Sequence, residues 1–277
     1  MAERRRGLVG AAVLSWFVAG VCAGAAGCSG GGAVAEDGRA ADPVETLHRA
    51  ADTLVEAGTS KARTSMEMAT GGTRVTIRGQ GAYDYRRQLG ELRVQLPQDP
   101  AGTSEHRPIA ELLAPGALFM KNRDGVPDDK WVRVETATLS DGNLVTGGAT
   151  DPFAAAEVLR GTRTATYVGR TEVAGTAVRH YRGTADLAVA ARDASAGGRN
   201  ALRAAAKGFA TARVPFDVYL DDQGRIRKVR HRFSFVNGQR KEPVAVASTT
   251  LLYDFGAPVD VRLPAARDIY AGRIAQE

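Results

Sequence analysis

Arg74-Val75-Thr76-Ile77-Arg78-Gly79-Gln80-Gly81-Ala82-Tyr83-Asp84-Tyr85 is the stretch that decides the fold class. Val75, Ile77, Gly79, Gly81, Tyr83 and Tyr85 fall on one side of an extended chain, and Arg74, Thr76, Arg78, Gln80 and Asp84 on the other. That strict alternation is the period of a strand with one buried and one wet face. Upstream, Ala62, Thr64, Met66 and Met68 alternate with Arg63, Ser65 and Glu67, and Gly71-Gly72 supplies a hairpin turn. Downstream, Leu92, Val94 and Leu96 alternate with Glu91, Arg93 and Gln95 before the polar loop Pro97 to Pro108.

The same period recurs to the end of the chain. Strands are expected at Leu118 to Lys121, Trp131 to Glu135, Tyr167 to Val173 and Ala177 to Thr184. Val214, Phe216, Val218 and Leu220 share one face of another, and Val229, Phe233 and Phe235 one face of the next, with the turn Asp221-Asp222-Gln223-Gly224 between them. A strand over Val244 to Phe255 and a short tail strand, Val259 to Leu263, close the series. Helical period appears in three places. Asp42-Pro43-Val44-Glu45 is a start signal with a capping-box glutamate, and the helix is expected to run to Ala57. Asp151-Pro152 starts a short helix, Phe153 to Leu159, and Leu187 to Ala206 is an alanine-rich helical stretch broken at Gly197-Gly198. About ten strands with helices inserted, rather than alternating one for one, give an α+β fold: a large curled antiparallel β-sheet with helices on one face.

Outside that domain the N-terminus is an address. Arg4-Arg5-Arg6 precedes an uncharged run from Leu8 to Ala26, the layout of a secretory signal. Ala25-Ala26-Gly27-Cys28 resembles a lipobox, which would cut the signal before Cys28 and acylate its thiol; Ala25 stands where leucine is usual. An uncleaved membrane anchor is the other reading of the segment. The expected organisation is signal peptide 1–27, lipidated Cys28 with a flexible tether to residue 42, and one domain over 43–277. The Gly/Ala-rich tether, thirteen residues from Ser29 to Ala41, has an r.m.s. reach of about 20 Å. Either reading places the domain on the outer face of the cytoplasmic membrane, because the positive flank Arg4-Arg5-Arg6 stays inside. Cys22 would leave with the signal, so Cys28 would be the lone cysteine of the mature chain and no internal disulfide could form. Losing three arginines and one glutamate takes the formal charge from +6 to +4, which suits either anionic headgroups or ordinary solubility.

Chemistry-bearing patterns are scarce. With 44% hydrophobic and 25% charged residues the chain can build a core, and two cysteines and four histidines exclude a zinc ribbon or disulfide scaffold. His48, His106, His180 and His231 sit at no metal-ligand spacing, and His48 is expected to face solvent. There is no Gly-x-Ser-x-Gly elbow, Walker loop or His-Glu-x-x-His helix. Asp221 to Gly224 lacks the later carboxylates of a calcium loop. Lys228, Arg230 and Arg232 line one strand face without interleaved aromatics, a poor nucleic-acid surface. The chain is expected to be no enzyme, with no cofactor, no metal and no nucleic-acid partner.

What remains is shape. Val75, Ile77, Gly79, Gly81, Val94, Leu96, Phe216, Val218, Phe233 and Phe235 are the candidate cavity residues, on one face of the sheet. Glycines inside a strand permit curling or leave space beside it. Either the helices leave an apolar hollow there, or they fill the concavity and the glycines only relieve a bend.

The order of features resembles one family. After the lipobox-like cysteine, the tether and the capped helix come Lys130-Trp131-Val132-Arg133-Val134, Val173-Ala174-Gly175-Thr176 and His180-Tyr181-Arg182-Gly183-Thr184. Pro215-Phe216-Asp217-Val218-Tyr219-Leu220-Asp221 and Tyr253-Asp254-Phe255-Gly256-Ala257-Pro258-Val259 follow. This series is similar to the LppX/LprAFG-type lipoproteins of actinobacteria, whose domain is related to the lipoprotein carrier LolA. The resemblance implies a half-barrel cupped over helices packed on its concave face, an apolar cavity, and no catalysis. It implies acylated lipid, glycolipid or lipoprotein as cargo; beside the membrane lipid reached through the lipobox-like Cys28, an envelope protein is a further candidate partner. An envelope sensor or protein-interaction module on the same fold is the alternative expectation.

Overall fold

The computed structural model describes residues 42–70, 73–97, 107–123, 125–236 and 243–270. The expected signal, Cys28 and its tether, the Gly71-Gly72 turn and most of the Pro97 to Pro108 loop, His106 included, lie outside them. Residues 41–277 form one compact unit.

Asp42 caps the first helix, α1 (Pro43–His48), by accepting from the Val44 backbone N–H at 2.9 Å. Glu45, expected to close a capping box, instead pairs with Arg49 at 3.6 Å. The helix expected to run unbroken to Ala57 is interrupted at Arg49 and resumes as α2 (Ala50–Ala57). Thr53 Oγ1 donates to the Arg49 carbonyl four residues back, a bond that bends helices. Three more helices follow: α3 (Pro152–Val158), α4 (Leu187–Asp193) and α5 (Arg199–Gly208). Asp151 and Asp186 cap α3 and α4 by accepting backbone N–H bonds.

The strands are β1 (Thr59–Thr70), β2 (Thr73–Asp84), β3 (Leu89–Gln95), β4 (Ile109–Ala114), β5 (Ala117–Lys121), β6 (Val132–Glu135), β7 (Thr162–Val173), β8 (Thr176–Asp186), β9 (Arg213–Leu220), β10 (Ile226–Val236) and β11 (Pro243–Tyr253). They form one curled, unclosed antiparallel sheet in the order β6-β5-β4-β3-β2-β1-β11-β10-β9-β8-β7. The half-barrel expected from the resemblance is therefore the architecture observed. Its inner face and the helices share one core, to which Leu47 and Leu54, Phe153 and Leu159, and Leu187 and Leu202 contribute from the helical layer.

Two strand expectations need correction. β4 was not visible in the pattern because Leu112 and Leu113 are both buried, on opposite faces, which erases the alternation. Leu113 joins the main core, while Leu112 packs with Phe119 and Val261 in a second cluster outside the sheet. The tail strand expected at Val259 to Leu263 does not form. Pro258 and Pro264 bracket it and cannot donate to a ladder, so the segment lies as irregular chain over the outer face of β4 and β5, reaching Leu89 at the start of β3. A single bridge, Trp131 to Ile269, ties its end to the sheet edge.

Candidate functional site

The concave face is built in register. Gly79, Thr64, Thr250 and Val229 lie side by side across β2, β1, β11 and β10; one step along lie Ile77, Met66, Ser248, His231 and Phe216. Period two in each strand puts all of them on the side of the helices. The ten sequence candidates divide unequally on this surface. Ile77, Val94, Phe216, Val218 and Phe233 are buried in the main core, and Val75 is half-buried against it. Leu96 lies beyond the end of β3 and is 39% exposed, so it does not reach the face. Gly81 is half-exposed, and a side chain there would strike the Glu91 backbone carbonyl, so this glycine serves close approach of β3. Phe235 lies in β10, outside the residues whose side chains are described.

The covering of this face has two parts. Over β8–β10 it is helical, with Phe209, just past α5, stacked on Phe233 at 5.1 Å between ring centroids. Over β1–β4 it is the irregular segment 139–150. A Cβ on Gly148 would lie 3.3 Å from both Ile77 Cγ2 and Val94 Cγ1, and a Cβ on Gly79 would lie 3.4 Å from the Ala149 Cβ. Leu144, Val145 and Ala149 are buried there. The segment thus rests directly on three of the candidate residues, Ile77, Gly79 and Val94.

Segment 139–150 holds its own shape. The Asp141 carboxylate accepts from the backbone N–H groups of Asn143, Val145 and Thr146, and Asn143 Oδ1 accepts from Gly147. Its side-chain hydrogen bond to the sheet, among the described residues, is Thr150 Oγ1 to Ser248 Oγ at 2.6 Å. Beneath it Thr64 Oγ1 and both Glu111 carboxyl oxygens are buried without a protein hydrogen bond, and His231 Nε2 on β10 is buried without one too. A Cβ on Gly147 would sit 3.1 Å from Glu111 Oε1. Burial pushes the Glu111 carboxyl up to about 8 despite the pull of Arg123, and burial holds His231 down at about 3. Both are therefore uncharged in the folded protein at neutral pH.

A cavity of about 50 Å³ lies at the β4–β5 end of this face, lined by Tyr83, Leu113, Phe153, Asp151 and Glu157 among others. It is far below the several hundred Å³ of a typical ligand pocket. Burial raises Asp151 to about 6 against two backbone N–H bonds, and burial also raises Glu157, whose Oε1 accepts from Ser195 N at 2.7 Å. Both carboxylates organise helix ends: Asp151 caps α3, and Glu157 ties α3 to the turn before α5. Among the described residues no group of three or more His, Cys, Asp or Glu side chains could hold a metal ion, and no helix is long and apolar enough to cross a membrane.

The histidines fall differently from expectation. His48, expected in solvent, is half-buried, with Nε2 2.9 Å from the Thr162 carbonyl oxygen at the start of β7. The reason is that α1 packs along β7. His180 meets the Asp217 carboxylate at 2.9 Å on the outer face. Sequence reasoning missed Glu111 and the segment 139–150. The one available signal was Leu144-Val145 beside Gly147-Gly148, an apolar pair in a stretch with no strand or helix period.

No protein-family model matches the chain, and no curated protein matches it in sequence. Solved structures with a similar arrangement exist. The lipoprotein LppX of Mycobacterium tuberculosis is 9% identical, over 79% of this chain and 97% of that one, with a TM-score of 0.45. LprF of Mycobacterium bovis is 15% identical over 81% and 97%, with a TM-score of 0.40. A LolA-superfamily protein of Nitrosomonas europaea is 11% identical over 76% and 94%, with a TM-score of 0.35.

Proposed function

We propose that the chain is a membrane-anchored extracytoplasmic lipoprotein, held by Cys28, that carries one acylated lipid or glycolipid on the concave face of its half-barrel without catalysis. The observation that carries this reading is the nature of the cover over Ile77, Gly79 and Val94. It is an irregular segment with its own internal hydrogen bonds, seated on an apolar wall and joined to the sheet through Thr150 and Ser248. Such a segment can leave the face as a unit, exposing the wall to an acyl chain.

The magnitudes permit the exchange. Lifting Leu144, Val145 and Ala149 out of the core gives up roughly 5 kcal/mol of burial. An acyl chain of ~15 methylenes gains about 12 kcal/mol on leaving water, at ~0.8 kcal/mol each. The buried, unpaired Thr64 and Glu111 oxygens lower the stability of the closed arrangement further, because each lacks the partner that would offset its lost hydration. Release needs a receiving membrane or partner, since the chain has no energy-coupling motif.

The test is extraction of the full chain in mild detergent followed by mass spectrometry of bound lipid. A stoichiometric acylated species that is lost in Val94→Trp supports the reading; lipid-free protein after loading with excess glycolipid refutes it. A second reading, an envelope sensor or protein-interaction module, is favoured by the long edge strand β7, where Tyr167 and Val168 are 47% and 52% exposed. An added peptide strand would pair with that edge. In that case Val94→Trp leaves partner capture intact and a proline in β7 abolishes it.

A further inference from the structure

We propose that the outer face of the sheet, across β8 to β3, is a docking surface for an anionic lipid bilayer. This rests on the reading that the domain is tethered at a membrane, but it concerns the opposite face from the cargo site. In register, Lys228, Leu251, Arg63, Gln80 and Arg93 lie side by side across β10, β11, β1, β2 and β3. One row over, Arg182, Asp217, Arg230, Thr249, Ser65 and Arg78 span β8 to β2. At about 4.8 Å per strand spacing the band is roughly 29 Å wide along the curve of the sheet, the scale of a bilayer contact rather than of one small anion.

The way these cations are held sets the band apart from a solvated strand face. Asp217 is buried beneath it and accepts from His180 and Arg182 at 2.9 Å and from Arg232 at 2.8 Å, so a single carboxylate fixes three basic groups. Arg63 lies over the Tyr253 ring at 5.0 Å and Lys228 over Tyr219 at 5.2 Å. Ring faces orient a cation without neutralising it. Arg78 and Arg93 are exposed and have no acidic partner among the described residues. Glu67, 3.5 Å from Arg230, and the exposed Glu91, two residues from Arg93 on β3, are further carboxylates on this face, and the cations outnumber them. Charge is thus presented rather than cancelled, and the half-exposed Leu251, Tyr253 and Tyr219 between the cations suit the headgroup level of a bilayer.

The occupant follows from charge complementarity and placement. A tether reaching about 20 Å keeps the domain within contact of the surface that anchors it. Each basic residue close to an anionic leaflet strengthens binding roughly fivefold, so losing three lowers it by about two orders of magnitude.

The experiment uses the compact unit 41–277, which carries neither Cys28 nor the apolar N-terminal run. It is sedimented with vesicles of equal parts phosphatidylglycerol and phosphatidylcholine, and with pure phosphatidylcholine, at low and high salt. Binding only to the anionic vesicles, lost in high salt and reduced at least about a hundredfold in the triple variant R63E/R78E/K228E, which removes three positive charges and adds three negative ones, is the expected result. A control of equal net charge, R192E/R203E/K207E on the exposed sides of α4 and α5, leaves binding within a fewfold of the parent. Equal loss in both triples, undiminished binding by the first triple, equal binding to the zwitterionic vesicles, or no binding to either overturns the proposal. Palmitate labelling at Cys28 is a separate measurement, so failure of the anchor reading is distinguishable from failure of this one.

Discussion

Glu111→Gln is the substitution whose effect the structure defines most sharply. The carboxyl of Glu111 is 1% exposed on the inner face of β4, under Gly147, with neither oxygen hydrogen-bonded to protein. Burial raises it from 4.5 in the unfolded chain to about 8 in the folded one. Between those values the unfolded carboxyl ionises and the folded one stays protonated, so the unfolded state gains. The parent therefore loses stability as pH rises from 4.5 and levels off above about 8. At about 1.4 kcal/mol per unit the full effect is about 5 kcal/mol, with roughly 3 kcal/mol already present at neutral pH. Glutamine keeps the shape and removes the titration. Urea unfolding of both proteins across this window is the assay. The advantage of Glu111→Gln over the parent must grow with pH and then plateau. An advantage that stays constant from acid to mild alkali refutes the reasoning, because it means that the carboxyl ionises freely and is hydrated beneath segment 139–150.

Asp217 has the opposite sign: burial raises it, but the hydrogen bonds from Arg182, His180 and Arg232 prevail and hold it at about 2, below its usual 3.8. Its contribution is present above 3.8 and lost as pH falls through 2, and Asp217→Asn should cost about 1–2 kcal/mol at neutral pH, discounted for the exposed arginine partners, with the gap from the parent closing in acid. His231, buried with Nε2 unpaired and held at about 3, should show no titration of its ring resonances between pH 5 and 8 (a range of roughly three units around the ordinary imidazole value), and His231→Phe should be neutral or stabilising in thermal melts. Leu144→Ala should destabilise by about 2–4 kcal/mol through the cavity it leaves. If segment 139–150 is a removable cover, the same variant loads more glycolipid than the parent, measured by mass spectrometry; unchanged loading counts against the cover.

Most of the sheet was legible because its strands have one wet face. Arg74 to Tyr85 and Val214 to Leu220 carry the alternation residue by residue, and Ala174-Gly175 between two strand-like runs marks a hairpin, where both residues adopt positive φ. Legibility failed where both faces are buried, as at Leu112-Leu113, and where a feature depends on a distant neighbour. The break at Arg49 is accompanied by one threonine hydroxyl bonded to its carbonyl, and the failure of Val259 to Leu263 to become a strand goes with two prolines and an apolar outer face. The face carrying Ile77, Val94, Phe216 and Phe233 could be read from period alone. Its covering could not, because segment 139–150 has no period to read and its glycines announce only that the backbone approaches something closely.

The strand order has a consequence for how the chain reaches its fold. β1 is formed early in the domain, yet one of its two edges is completed by β11, and Lys61 meets Asp254 across 193 residues of sequence. Until the last strand emerges, the sheet consists of two separate meanders, β1–β6 and β7–β10, whose inner edges are both unsatisfied. Loop closure over that span makes the final zipper slow, and open edges in the interval invite pairing with other chains. A stop codon placed before Pro243 should therefore yield insoluble protein rather than a trimmed domain, because both inner edges would stay open.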